Sequence, residues 1–306
     1  MDNNILLCPR FSGAYPHPKA YNIMKTVHTI SELKAEVSTI REQGLSLGLV
    51  PTMGALHAGH LSLVSRSIAE NNATVVSVFV NPTQFNDKND LANYPRTLEA
   101  DCSLLEQAGV TLVFAPTVEE IYPQPDTRHF SYPPLDEVME GAYRPGHFNG
   151  VCQIVSKLFE IITPDRAYFG EKDYQQLAII RRMVSEQGYP IDIIGCPIVR
   201  EIDGLALSSR NARLSDDEHR QALQISKALF GSEIFARDSS VAQTRQAVEH
   251  AIREASGLEL EYFHIVDGET LQDINDWSES TQPMGCIAVY CGPVRLIDNV
   301  HYRQHP

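Results

Sequence analysis

Long apolar runs are missing from this chain of 306 residues: none reaches the roughly 18 residues that a membrane span needs. At the start, Ile5-Leu6-Leu7-Cys8 is cut short by Pro9, below the roughly 7–15 apolar residues of a secretion signal. Basic residues are scarce, with 25 Lys and Arg against 39 Asp and Glu and a net charge of −14. General nucleic-acid binding rewards a basic face, so that class is excluded. A helix N-terminus or a few cations still hold a phosphate locally. The six cysteines (Cys8, Cys102, Cys152, Cys196, Cys286, Cys291) include no C-x-x-C pair. That argues for buried free thiols in a reducing compartment rather than a clustered metal or redox site. What is present is ordinary: 43% hydrophobic and 21% charged residues, enough for one large or two modest cores. We expect a soluble, cytoplasmic globular protein partnered by neither nucleic acid nor membrane.

Residues 1–23 stand apart, holding Pro9, Gly13, Pro16 and Pro18 with no apolar period. They read as a flexible extension, or as an upstream start to a chain that begins at Met24. From Thr29, which makes a capping box with Glu32, the residues Leu33, Val37 and Ile40 share one helix face, and Gly44 ends it. Leu47-Gly48-Leu49-Val50 and Thr74-Val75-Val76-Ser77-Val78-Phe79-Val80 read as buried strands, with a helix through Leu61, Val64 and Ile68 between them. Helices near 97–108, 151–162 and 174–187 then alternate with strands at 111–114, 167–169 and 191–198. This alternation predicts an α/β fold, a Rossmann-like doubly wound parallel sheet over residues 24–198. Past 198–200 the texture changes to two polar helices (216–230, 241–254) and strands at 260–266, 287–291 and 294–297. We expect a smaller α+β lid domain over 199–306.

The chemistry concentrates where strands meet helices. Met53-Gly54-Ala55-Leu56-His57-Ala58-Gly59-His60 follows the first core strand, at the edge where open α/β sheets bind ligands. Gly59 admits a phosphate to the backbone, and His57 and His60 at the helix start aim N–H donors at it. The spacing is not the dinucleotide-binding G-x-G-x-x-G. Asn81 and Gln84 follow the second strand with neutral amides. Gly170-Glu171-Lys172-Asp173, with Gln176 beyond, opens another helix and offers a phosphate cation. Leu207-Ser208-Ser209-Arg210 supplies two hydroxyls and a guanidinium, a set suited to a triphosphate. Singly each has a plain structural reading; together they point to one site.

His57-Ala58-Gly59-His60 resembles the H-x-G-H signature of the nucleotidyltransferase superfamily. The four segments in this order, with Tyr94-Pro95-Arg96-Thr97, Arg144-Pro145-Gly146-His147-Phe148 and Arg295-Leu296-Ile297-Asp298-Asn299, are similar to the pantoate–β-alanine ligase family over residues 24–306. The resemblance implies an ATP-dependent condensation of pantoate with β-alanine through a pantoyl adenylate, releasing AMP and pyrophosphate. It implies catalytic roles for His60, His57, Lys172 and Arg210. ATP contacts fall on residues 53–60, Gly170, Glu171, Lys172, Asp173, Val199, Leu207, Ser208, Ser209 and Arg210. Gln84 falls on pantoate and β-alanine, Gln176 on pantoate, and Asn81 beside them. Mg²⁺ is implied with ATP, and a homodimer by family habit. Asp101 is open between a magnesium ligand and a solvated helix carboxylate.

Three other readings compete. A different adenylyl- or cytidylyltransferase would release a nucleotidyl product, against which the Gln84/Gln176 pair and the 207–210 loop weigh. A nucleotide-binding regulator with a dead site is opposed by the presence of His57, His60, Lys172 and Arg210. An aminoacyl-tRNA synthetase would need a tRNA-binding module or basic surface that the sequence does not show.

Overall fold

The computed structural model describes residues 23–302, so the expectation for the N-terminal extension lies outside the described residues save Ile23. Strand β1 (Lys25–Val27) precedes α1 (Ile30–Glu42), whose start is set by the Thr29/Glu32 capping box. Then come β2 (Leu47–Thr52), α2 (Ala58–Glu70), β3 (Ala73–Val78), α3 (Lys88–Ala92), α4 (Leu98–Ala108) and β4 (Leu112–Phe114). Two single-turn helices, α5 (Val118–Ile121) and α6 (Glu140–Tyr143), lead to α7 (His147–Ile162). Next are β5 (Arg166–Gly170), α8 (Tyr174–Gln187) and β6 (Asp192–Cys196). The last third holds α9 (Asp216–Phe235), α10 (Val241–Glu254), β7 (Leu258–Asp267), β8 (Pro283–Cys291) and β9 (Val294–His301).

Six strands form one parallel sheet in the order β1-β4-β3-β2-β5-β6. The chain winds from β2 through β3 towards β4, then returns to lay β5 and β6 on the other side of β2. That reversal opens a crevice beyond the C-terminal ends of β2 and β5, where such sheets take their ligands. Both faces are covered, as the unbroken apolar runs require: Leu47 and Leu49 pack with Leu33, Ile40 and Phe159, and Val50 and Val76 with Val64 and Leu105.

The smaller α+β part is a three-stranded antiparallel sheet, β7-β8-β9. Alternation gives it two apolar faces. Phe263, Ile265, Ile287 and Val289 pack with residues of α9 and α10, whereas Tyr262, Val266, Met284 and Ala288 join the core of the parallel sheet.

Several boundaries differ from expectation. Helix α7 starts four residues early, at His147, because Gly146 at φ +82 caps it and leaves no side-chain cap to read. Helix α9 runs through Gly231 to Phe235, its last turns docked by Ser232 on the Tyr302 hydroxyl at 2.8 Å. Strand β1 is three residues long, too short to show a period. Cys152, Cys196, Cys286 and Cys291 are buried and Cys102 is half-buried, and all five are free thiols.

Candidate active site

Beyond β2 the chain turns through Gly54 at φ +81 and Ala55 at φ +50. What holds this turn is Asp101 on α4, only 1% exposed. Its carboxylate accepts the N–H groups of Ala55 and Leu56 at 3.0 and 2.8 Å and the Thr97 hydroxyl at 3.2 Å. A Cβ on Gly54 would lie 3.0 Å from Asp101 Oδ2, so the carboxylate fits because residue 54 has no side chain. Asp101 is therefore neither solvated nor open to a metal: its oxygens hold backbone amides.

The turn delivers His57 as the N-cap of α2 and His60 in its first turn. His57 Nδ1 accepts the Gly59 N–H at 3.1 Å, and His60 Nδ1 accepts the His57 N–H at 3.3 Å. Each neutral ring thus carries its proton on Nε2. The rings lie 4.0 Å apart between centroids. Burial, helped by nearby Lys172, pushes His57 down to about 4, and burial with His57 and Lys172 pushes His60 down to about 3. Both are neutral N–H donors before any anion arrives.

After β3, the helical turn Pro82–Gln84 packs against α7. Asn81, expected to meet substrate directly, is 1% exposed with its amide engaged elsewhere. It accepts the Tyr122 and Thr83 hydroxyls at 2.9 and 3.2 Å and donates to Gly150 O and Gln84 Oε1, both at 3.1 Å. One of these bonds orients Gln84, while Asn81 itself stays in the cavity wall. His147, buried and pushed down to about 4 by burial and Arg144, donates from Nδ1 to Gln84 O at 2.8 Å. So Gln84 is gripped at side chain and backbone, with Nε2 beside Met53 Sδ at 3.1 Å.

Two further loops complete the crevice. Asn299 on β9 donates to Glu171 O and Lys172 O at 2.8 and 3.0 Å, holding the turn that follows β5. Lys172 forms no ion pair among the described residues. In the loop before α9, Leu207 N–H bonds Val199 O at 3.0 Å and Ser209 Oγ donates to Ala55 O at 3.1 Å. Arg210 Nη2 meets Asp90 Oδ2 at 2.7 Å, and its guanidinium lies 6.0 Å from the Tyr94 ring.

Together these loops enclose a cavity of about 220 Å³. Met53, His57, Gly59, His60, Asn81, Gln84, Gly170, Lys172, Asp173, Gln176, Val199, Leu207, Ser208, Ser209 and Arg210 all line it. Gly54, Ala55, Leu56, Ala58 and Glu171, expected to contact nucleotide, do not line it and shape the loops from behind. Sequence reasoning missed the apolar wall of Phe79, Ile154, Val155, Leu158 and Phe169, because each residue reads as core. It also missed Asp90, His147 and Asn299, the last two lying inside segments quoted only for resemblance. The lining combines the cations and N–H donors of His57, His60, Lys172 and Arg210 with the neutral amides of Gln84 and Gln176 and with apolar side chains. Such a lining is chemically suited to an anionic group beside a partly apolar one.

The sequence profile of the pantoate-beta-alanine ligase family matches residues 25–301. A pantothenate synthetase of Bacteroides thetaiotaomicron is 66% identical over 281 residues, covering 92% of this chain and 100% of the relative. One from Porphyromonas gingivalis is 54% identical, covering 91% and 99%. The crystal structure of the Thermus thermophilus pantothenate synthetase superposes with a TM-score of 0.86 at 45% identity, covering 92% and 100%. That of a Francisella tularensis pantoate-beta-alanine ligase complexed with beta-gamma ATP and beta-alanine gives 0.76 at 34%, covering 91% and 98%. On this match in sequence, fold and span, the chain belongs to the pantoate–β-alanine ligase family.

Proposed function

We propose a division of labour among these residues in the family's reaction, the ATP-dependent condensation of pantoate with β-alanine to pantothenate, AMP and pyrophosphate. The observation that carries it is the convergence of His57, His60, Lys172 and Arg210 with Gln84 and Gln176 on one cavity at the sheet's switch point. The nucleotide named for the Francisella structure supports ATP as the substrate, and we place it along the cavity-lining residues Met53, His57, Gly59, His60, Gly170, Lys172, Asp173, Val199, Leu207, Ser208, Ser209 and Arg210. Pantoate then lies between the Gln84 and Gln176 amides, its methyl groups against Ile154, Val155 and Leu158, and β-alanine enters beside Gln84.

A carboxylate is a poor acyl donor to an amine. In the first step, the pantoate carboxylate attacks the α-phosphorus and pyrophosphate leaves, creating an acyl phosphate whose leaving group is AMP. Negative charge grows on phosphoryl oxygens, and the Nε2–H donors of His57 and His60 with Lys172 and Arg210 stabilise it. Neutral amides orient the attacking carboxylate without the strong pairing that an arginine would impose. The amine of β-alanine then attacks the adenylate carbonyl, expels AMP and loses a proton, leaving the amide.

Magnesium, implied by ATP, would supply charge neutralisation at the phosphates. Among the described residues lining the cavity Asp173 is the one carboxylate, which alone is not a cage for the ion; nearby, Asp101 holds amides and Asp90 holds arginines. Among the described residues, the one cluster with metal-ligand spacing, Glu201, Asp203 and His219, is not part of the cavity lining. We place the boundary of the smaller domain near 198–200, so that its 207–210 loop closes over the triphosphate. Among the described residues no helix is long and apolar enough to cross a membrane; the cytoplasmic placement rests on the cysteine pattern and the short apolar start, and the homodimer on the resemblance to the family. The deciding assay is pantothenate formation by the purified chain, dependent on both ATP and β-alanine. A stable nucleotidyl conjugate in place of AMP and pantothenate would overturn the reading.

A further inference from the structure

We infer that Asp90 is a positioning residue for the adenylation step, holding the Arg210 guanidinium in place over the triphosphate. The inference rests on the proposed function, which puts Arg210 on the nucleotide, and adds a residue that touches no substrate. Asp90 sits on α3, in the part of the chain built on the parallel sheet, whereas Arg210 precedes α9, 120 residues later. Its two oxygens are divided: Oδ2 takes Arg210 Nη2 at 2.7 Å and Oδ1 takes Arg213 Nη1 at 2.9 Å. With one oxygen on each guanidinium, the carboxylate ties this loop to α3 at two points.

The pair is not a screened surface contact. The Asp90 and Arg210 side chains are 21% and 27% exposed, and Tyr94, one turn beyond Asp90, is buried beside the guanidinium. Beside it, the Ser209–Ala55 hydrogen bond ties the same loop to the turn before His57. Arginine has five N–H donors on a long flexible stem, and freezing that stem opposes binding. Asp90 takes one of the Nη2 donors and leaves the others for phosphate oxygens, with the stem already ordered.

A carboxylate this close to a triphosphate has a second, opposite effect, since it repels the ligand. The sign of the substitution therefore decides. If Asp90 were only a neighbouring anion, Asp90→Asn would tighten ATP binding; if it positions Arg210, Asp90→Asn weakens it.

The test is pyrophosphate release with saturating pantoate, following KM for ATP and kcat separately in wild type, Asp90→Asn, Asp90→Glu, Arg210→Ala and the Asp90→Asn/Arg210→Ala double variant. We expect Asp90→Asn to raise KM for ATP about tenfold or more, the loss of a charge-assisted hydrogen bond. Asp90→Glu, which keeps the charge, should recover most of it. In the Arg210→Ala background the same substitution should change KM by less than about twofold, because Asp90 acts through Arg210. A lower or unchanged KM in Asp90→Asn overturns the inference, as does a full-sized effect in the absence of Arg210. Wild-type pyrophosphate release separates the two readings: its absence overturns the proposed function, whereas release with an indifferent Asp90→Asn overturns only the role of Asp90.

Discussion

At the scale of single residues, the same side-chain type does different work according to its neighbours. Asp101 and Asp90 are both aspartates near the nucleotide site, yet one holds buried backbone amides and the other holds two guanidinium groups. The histidines follow the same rule. His57, His60 and His147 are held neutral, at about 4, 3 and 4, chiefly by burial. Above about pH 6.5 both folded and unfolded chains carry them uncharged. As pH falls from 6.5 the unfolded chain takes up protons that the folded chain refuses, so stability falls with acidification down to about pH 4. Glu140 adds to the loss below about 4.5: burial would raise its pKa, but Arg295 overrides this and holds it down to about 2. We expect the thermal midpoint to decline steadily between about pH 6.5 and 4; a flat profile over that range would contradict the assignment of three neutral buried rings. For catalysis, His60→Ala and Lys172→Ala should each cut pantoyl adenylate formation by about 10²–10³-fold with the fold intact. Near-wild-type pyrophosphate release from either variant would refute those roles.

Between residue and domain lies the contact of α7 with the Pro82–Gln84 turn. Gly150 makes it possible, since a Cβ there would lie 2.3 Å from Thr83 O and 2.7 Å from Gln84 N. Its carbonyl also accepts from Asn81, so one glycine sets both the spacing and the hydrogen bond that aim Gln84. Gly150→Ala should force the turn off the helix, costing about 1–3 kcal/mol of stability by overpacking. Its functional signature would be a raised KM for pantoate with a smaller change in KM for ATP, since the damage falls first on the turn that carries Gln84, which we assign to pantoate and which meets the nucleotide loop through its side chain beside Met53. Equal effects on both substrates would mean that the damage is global.

Over the whole molecule, the smaller sheet is bound to the larger one by more than apolar packing. Arg295 donates to Glu140 at 2.8 and 2.6 Å and also pairs with Glu261, and the Tyr262 hydroxyl donates to Glu140 at 2.8 Å. Asn299 on β9 holds the Glu171 and Lys172 backbone of the turn after β5, and its neighbour Asp298 steadies the connecting segment through Arg200 at 2.7 and 2.9 Å. With the sheets so joined, the element best placed to close is the 207–210 loop, which meets the larger domain through Ser209 and Arg210. Closure would exclude water from an adenylate that hydrolysis would waste. ATP with pantoate should therefore slow hydrogen exchange at 207–210, and an unchanged exchange pattern there would count against loop closure.

Much of this architecture is legible without coordinates, because it is written in short-range patterns. Unbroken β-branched runs, helical spacing and capping residues such as Thr29 with Glu32 are local, and they determined the alternation of strands and helices and hence the α/β class. The strand-to-helix junctions carrying His57, Gln84 and Lys172, and the loop carrying Arg210, were legible for the same reason. What the tertiary structure alone decided is which polar groups meet. Asp101 reaches Ala55 across 46 positions, Asn299 reaches Lys172 across 127, and Asp90 reaches Arg210 across 120. No periodicity encodes such pairs: a carboxylate's partner depends on which turns the packed helices and sheets bring within 3 Å. Asn81 reads as a substrate ligand from its place after β3; that its amide is also held by Tyr122, Thr83 and Gly150 shows only in the folded chain. Sequence determined the elements and the site's chemical alphabet; burial and long-range hydrogen bonding decided which residues face the substrate and which hold those that do.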